Sequence, residues 1–461
     1  MTHEEKDALI LMLLARLEVF ESLVPKDSHN SSKPPSSDGL AKKTKKTSSL
    51  REASGKKVGG QIGHEGTTLK KVAEATEIVR HPLPARCDQC NEPLPLENAC
   101  VSETRQVFDI PATAYDVIEH RTLKVVCRCG QTHESAFPAE VTEAVQYGPN
   151  VRALGVHLTQ GQMLPFARAS EMLQDLFGLP VSPGTLVSWV GEARAALQGT
   201  ADLIADHLRE APLVHADESG LRVAAKLHWL HIAANETHTW YGVHARRGME
   251  AIEAHGILRK RLGVLVHDCW APYWQLDCIH ALCNAHLLRE LVYVKEITTQ
   301  AWPQQMIDLL LNANELCESA RQHQIELPAE DIATYRALYD AILCEGELAN
   351  PEVAKQPSAG KRGRSKQSIA FNLLRRLREH TDAVLLFISE PSVPFTNNLG
   401  ERAVRMPKVK QKISGCFRTL DGAENFAVIR SCLDTLRKQG HGMLEVLRRA
   451  FAGNPIQPAC G

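Results

Sequence analysis

The sequence predicts an α/β protein of several domains, on three observations. From residue 211 onward, short β-type runs alternate with amphipathic helical stretches. At 461 residues the chain has room for about three domains of ~150 residues. Its 44% hydrophobic and 23% charged residues are those of a globular chain with a sizeable core.

The first element is a helix over residues 1–26. Ile10, Leu13, Leu17, Phe20 and Val24 are spaced three or four apart, which suits either a coiled-coil seam or an ordinary amphipathic face. Its apolar stretch, residues 9–15, is too short to span a bilayer. Acidic Glu4, Glu5 and Asp7 precede that stretch where a secretory leader would carry basic residues, so a cytoplasmic location is expected. Residues 27–69 follow as a basic, flexible linker. They are rich in Ser, Lys, Pro and Gly and too poor in apolar side chains to fold alone.

Residues 70–143 read as a small β module, with alternating runs at 105–110 and 117–126. Cys87 and Cys90 stand at one end, Cys127 and Cys129 at the other. Two close pairs of soft ligands can converge tetrahedrally on structural Zn²⁺, which would staple a module too small to hold itself together. The second pair is one residue tighter than C-x₂-C, and His133 is an alternative ligand; buried thiols are the bland reading. The remaining cysteines are scattered among an odd total of thirteen, which in a reducing compartment argues against a disulfide framework.

Residues 144–208 read as a helix-turn-helix domain. A helix over 164–177 ends at Gly178, and Ser182-Pro183-Gly184-Thr185 opens the next. The second helix suits a DNA major groove, although such pairs also serve as plain packing units and this one exposes few basic residues.

The chemistry-bearing stretch begins at 209. The apolar run 212–216 ends at Asp217; runs of strand type follow at 226–234 and 237–245, then a helical piece at 248–257, then 264–267 ending at Asp268. Strand with terminal Asp, strand, strand, helix, strand with terminal Asp is the opening of a ribonuclease-H-like catalytic core, whose first part is placed at 209–284. Two carboxylates on neighbouring strand ends repel each other unless a cation lies between them, and Mg²⁺ or Mn²⁺ is the natural occupant. Taken singly, either Asp reads better as a loop cap; it is the two together, on the expected first and fourth strands, that point to the catalytic reading.

Residues 285–390 form an α-helical insertion, with helices over 282–291 and 304–321. Cys283 and His286 share a helix face near its start; a metal or DNA contact and a satisfied core pair are both open. The second part of the core spans 391–450 and carries Glu401, and 451–461 is a tail. Glu401 is the one acid in residues 397–418, among Arg402, Arg405, Lys408, Lys410, Lys412 and Arg418. That pattern suits a metal ligand beside a phosphate backbone, and equally a helix-N-terminal Glu favoured by the dipole. The net charge is only −1, so partners of opposite charge would be drawn by such local segments rather than by the whole.

Taken together, several motifs resemble those of insertion-sequence-66 family transposases, over essentially the whole chain. They are Asn30-Ser-Ser-Lys-Pro-Pro-Ser-Ser-Asp38, Gly59-Gly-Gln-Ile-Gly-His64, His215-Ala-Asp217-Glu-Ser-Gly, Val266-His-Asp268-Cys-Trp270, Cys283-Asn-Ala-His-Leu-Leu-Arg-Glu-Leu and Asn397-Asn-Leu-Gly-Glu401-Arg. The resemblance implies a DDE transposase with Asp217, Asp268 and Glu401 as the metal-binding triad. It also implies an N-terminal helix, a zinc module and a helix-turn-helix. Double-stranded DNA (transposon ends and target) would be the partner, a homo-oligomer would bring two ends together, and element-encoded accessory proteins would be further partners. Lys408 falls where such enzymes often carry a basic residue, but Pro407 beside it should disturb the helix. Gly400 stands where Ala is frequent and should weaken the helix start by up to ~1 kcal/mol. Rival readings are a ribonuclease-H-like nuclease without strand transfer and a zinc-containing DNA-binding regulator.

Overall fold

The structure, a computed structural model, describes residues 71–460 apart from 76, 95, 96, 98, 109–114, 130, 260 and 353–366. The expected N-terminal helix and the basic linker lie outside the described residues. The described chain falls into two compact units, a small one up to Glu119 and a large one from His120 onward.

In the small unit, a turn holds Cys87 and Cys90. Cys87 N–H donates to Glu92 O and Asn91 N–H to Cys87 O, both at 2.9 Å, with Asn91 at φ 59°. Residues 105–108, expected as strand, are irregular here. Val107 is 90% exposed, so no apolar layer is present to reward pairing.

The large unit opens on a short hairpin, β1 (Lys124–Val126) and β2 (Thr132–Glu134), whose turn carries Cys127 and Cys129. Strand pairing thus takes up only the end of the expected 117–126 run; Val117 and Ile118 are exposed and outside it. Helix α1 (Pro149–Val156) passes through a π turn into α2 (Phe166–Phe177), which ends on left-handed Gly178 at φ 67°. Ser182 Oγ then accepts the Thr185 N–H at 3.0 Å and starts α3 (Pro183–Glu210), far longer than the turn-plus-helix pattern required. Its Leu186, Trp189, Val190, Ala193, Leu197 and Ile204 are buried, and this apolar stripe accounts for the extra length.

Five strands make the central sheet: β3 (Leu213–Val223), β4 (Lys226–Ala234), β5 (Thr239–His244), β6 (Val264–His267) and β7 (Ile279–Leu282). Their order is β5-β4-β3-β6-β7, with the first three antiparallel and the last two parallel to β3. Helix α4 (Met249–His255) makes the crossover from β5 to β6.

Parallel strands are covered on both faces here, as their continuous burial requires. One face, through Val214, Ala216 and Leu265, joins a core with α1–α3, α11 (Leu420–Lys438) and α12 (Met443–Phe451). The other, through Val264, Val266 and Ala281, joins the inserted helices. These are α5 (Asn284–Ile297), α6 (Trp302–His323), α7 (Ala329–Ala349), α8 (Ile369–Glu379) and α9 (Thr381–Ser389). After them α10 (Asn398–Ser414) packs Val404 against Leu221, Leu230 and Tyr241 at the antiparallel end of the sheet.

Pro407 does not break α10. It removes the hydrogen bond that Ala403 O would receive; the Tyr241 hydroxyl lies 3.1 Å from that carbonyl but gives its one proton to the nearer Asp434 carboxylate at 2.7 Å. The helix is held across the proline by the packing of Val404 on the sheet.

Candidate active site

Parallel pairing sets Asp217 and Asp268 side by side. β3 and β6 pair His215 with Val266, and each aspartate lies two residues further along its own chain. Asp217 Oδ1 accepts the Glu218 N–H at 2.7 Å; Asp268 Oδ1 accepts the Trp270 N–H at 3.1 Å. The residue after Asp268, Cys269, sits at φ 68°, a left-handed conformation costly for a residue with a Cβ. That sharp turn ends the strand at the carboxylate.

Glu401 arrives on the first turn of α10, and Asn397 fixes where that helix starts. The Asn397 side chain accepts from His215 Nδ1 at 2.8 Å and donates to Ala216 O at 2.8 Å, tying α10 to β3 just before Asp217. His215 is held near pKa 4 by burial, which its Asn397 bond only partly offsets, so it is a neutral donor at pH 7. A Cβ at Gly400 would stand 2.9 Å from Asn397 Oδ1. The glycine thus costs helix propensity but leaves room for the Asn397 bridge.

The acids act on one another electrostatically. Burial raises the Asp217 carboxyl well above the ordinary range, and the charges of Glu218, Asp268 and Glu401 push it further. Asp268 rises to about 7, through burial first and the charge of Glu218 second, with Arg247 opposing. Buried carboxyls pushed this way toward their neutral forms fit a hard divalent ion, which would favour their charged forms. The three are not drawn into one tight knot. Among the described residues, the ligand atoms that all lie within 4.8 Å of one another are those of Cys283, His286 and Glu401. A pair of ions about 4 Å apart, each ~2 Å from its oxygens, nevertheless spans a wider set of carboxylates.

Sequence reasoning missed Glu218. It is fully buried, ion-paired to Arg247 and accepts the Tyr273 hydroxyl at 2.6 Å. Arg247 in turn lies over Trp270, 4.2 Å from the ring centre, and over Trp229 at 4.9 Å. Only the unusual Asp-Glu pair inside a strand hinted at it, since partners 29 and 55 positions away are invisible in a linear reading.

The basic face of α10 divides. Arg402, Arg405 and Lys412 are exposed. Lys408 Nζ donates to Gly220 O at 3.3 Å and feels the charge of Asp217. Lys410 is turned toward Phe417 and Phe426, 5.4 and 5.5 Å from their ring centres, and burial lowers it to about 8. In the cysteine pairs, hydrogen bonds from Cys90 lower the Cys87 thiol and hydrogen bonds from Cys129 lower the Cys127 thiol.

Comparison with known proteins gives two family matches. Residues 144–425 match the model described as Transposase IS66 family, and residues 3–70 match a family of unknown function, DUF6444. Two similar relatives come from Sinorhizobium fredii (strain NBRC 101917 / NGR234). The uncharacterized protein y4hP is 24% identical over 72% of this chain and 64% of its own length. The uncharacterized protein y4jD is 22% identical over 84% of this chain and 78% of its own. The matched stretch thus spans under two thirds of y4hP.

Proposed function

We propose, from the premise that this chain belongs to the IS66 transposase family, that it cuts and joins DNA at the ends of a mobile element through Asp217, Asp268 and Glu401. The observation that carries the proposal is the register of β3 and β6, which leaves two buried aspartates each two residues beyond the paired His215 and Val266, one within β3 and one just past β6. The strand order and the antiparallel-to-parallel switch at β3 support a ribonuclease-H-like core.

In this reading the three acids would hold two Mg²⁺ or Mn²⁺ ions, which would supply Lewis-acid stabilisation of charge on the transferring phosphoryl group and ease proton loss from the attacking oxygen. The protein's part is positioning. Arg247 pairs with Glu218, the buried neighbour of the two aspartates; Asn397 locks the α10 start to β3; Arg402, Arg405 and Lys412 meet backbone phosphates. Water makes the first cut, and the freed 3′-hydroxyl attacks the target at the same centre. Lys408 is a further phosphate contact beside Asp217, and Lys410 one that must first leave its aromatic neighbours.

The helix-turn-helix, α2 and α3, and structural Zn²⁺ at Cys87, Cys90, Cys127 and Cys129 would select element ends. A homo-oligomer would hold two ends together, with accessory proteins of the element as further partners and the cytoplasm as the setting. Among the described residues no helix is long and apolar enough to cross a membrane.

The test is end-DNA cleavage and joining by the full chain with Mg²⁺ or Mn²⁺, beside Asp217→Asn and Asp268→Asn. Cutting and joining by the wild type alone is expected. Cutting without joining favours a nuclease; equal cutting by wild type and variants refutes the assignment.

A further inference from the structure

We infer a second metal site, separate in chemistry from the aspartate pair: Cys283, His286 and Glu401 bind one thiophilic divalent ion of the zinc class. It rests on the proposed function only in sharing Glu401.

Three elements build the site. Cys283 follows β7 and caps the start of α5, and His286 lies three residues on, one turn along the same face. Glu401 comes from the first turn of α10, 118 positions later. Its Oε1 lies 3.7 Å from Cys283 Sγ and 3.7 Å from His286 Nδ1. Around a tetrahedral zinc with ordinary bond lengths, sulfur–oxygen and nitrogen–oxygen separations come to about 3.3–3.5 Å. The two distances to Glu401 thus exceed coordination values by a few tenths of an ångström, and the ligand atoms of all three residues lie within 4.8 Å of one another.

His286 supplies the independent observation. It is 6% exposed, and neither ring nitrogen has a hydrogen-bond partner among the described residues. Buried imidazoles with two idle nitrogens are expensive, and a ligand on Nδ1 removes half of that cost. Cys283 is likewise placed to act as a ligand. Its sulfur receives the Asn397 N–H at 3.1 Å and stands at a helix N-terminus, both of which favour a thiolate. Against them, burial and the charge of Glu401 push the metal-free thiol up to about 12, so binding the ion expels the thiol proton to solvent. One sulfur, one nitrogen and one carboxylate oxygen reject Mg²⁺, which takes oxygen donors, and suit zinc with a fourth position left open. Because a carboxylate has two oxygens, Glu401 can face this ion and the aspartate-held pair together.

Cobalt(II) is the probe, because a cysteine thiolate bound to it absorbs strongly in the near ultraviolet. The full chain carrying Cys87→Ser, Cys90→Ser, Cys127→Ser and Cys129→Ser, titrated without DNA, should bind one cobalt per chain with a single-thiolate band. Adding Cys283→Ser should abolish the band, and His286→Gln should weaken binding at least tenfold. Should the fourfold variant fail to fold, wild type minus Cys283→Ser must show the same one-thiolate difference. No such band, or a band indifferent to Cys283, overturns the site and leaves Cys283 and His286 as packing around Glu401. Cobalt binding without DNA cutting would instead sink the transposase mechanism while sparing this site.

Discussion

Neutralising Asp268 should stabilise the metal-free protein at alkaline pH, although the residue is proposed to be catalytic. Its carboxyl moves from 3.8 to about 7 on folding, chiefly through burial and then the charge of Glu218. The unfolded chain therefore releases its proton near pH 4 and the folded chain only near 7. A raised acid contributes no penalty below the lower value; stability falls as pH rises between the two and stays low above the upper. At about 1.36 kcal/mol for each pH unit between those values, the full penalty is roughly 4 kcal/mol. Asp268→Asn cannot ionise, and its amide oxygen can still accept from Trp270. In EDTA at pH 8 it should melt several degrees above wild type, given about 2–4 °C per kcal/mol for 150–250 residues and less for a longer chain. That gain should vanish near pH 4. Added Mg²⁺ should raise wild type far more than the variant, because only wild type offers the ion both carboxylates. A variant no more stable than wild type at pH 8 without metal would refute the electrostatic reasoning.

Three further outcomes are expected. Asn397→Ala leaves the His215 ring and Ala216 O without their partner and should cost about 1–3 kcal/mol in denaturant unfolding; an unchanged midpoint would show that the bridge holds nothing. Pro407→Ala restores an N–H to Ala403 O, whose nearby Tyr241 hydroxyl donates instead to Asp434, and should stabilise by about 0.5–1.5 kcal/mol in denaturant unfolding; an unchanged midpoint would show that this carbonyl lacks nothing. Arg402→Ala with Arg405→Ala should lower the slope of log affinity for DNA against log salt by about 1 for each phosphate no longer neutralised, and an unchanged slope would place DNA on another face.

Much of the sheet is legible in the sequence because its signals are local. The run at 226–234 and the one at 264–267 are the observed β4 and β6, since short, mainly apolar runs bounded by turns leave few alternatives. The apolar pattern ends the first strand at Asp217, yet β3 continues to Val223. Asp-Glu-Ser-Gly does not look like strand, and only Arg247 and Tyr273, distant in sequence, let Glu218 be buried there. The helical insertion is visible from its periodicity, whereas the persistence of α10 through Pro407 depends on Val404 packing against Leu221, Leu230 and Tyr241, contacts distant in sequence. Of the candidate site, only Asp268 stands at a strand end as the pattern suggests, just past β6, whereas Asp217 lies inside β3. Glu401 is balanced against a capping role until its family motif is weighed, because what orients it, Asn397 bound to β3, is a tertiary contact. Alternation at 105–108 misleads, since a β pattern forms strand only where a partner layer buries one face.

Anomalous scattering from Mn²⁺ in crystals of the full chain with end DNA would locate the ions directly. Density between the Asp217 and Asp268 carboxylates, within ligand distance of both and beside a backbone phosphate, is the expected result. Manganese bound elsewhere, with that gap unfilled while DNA is seated, would contradict it.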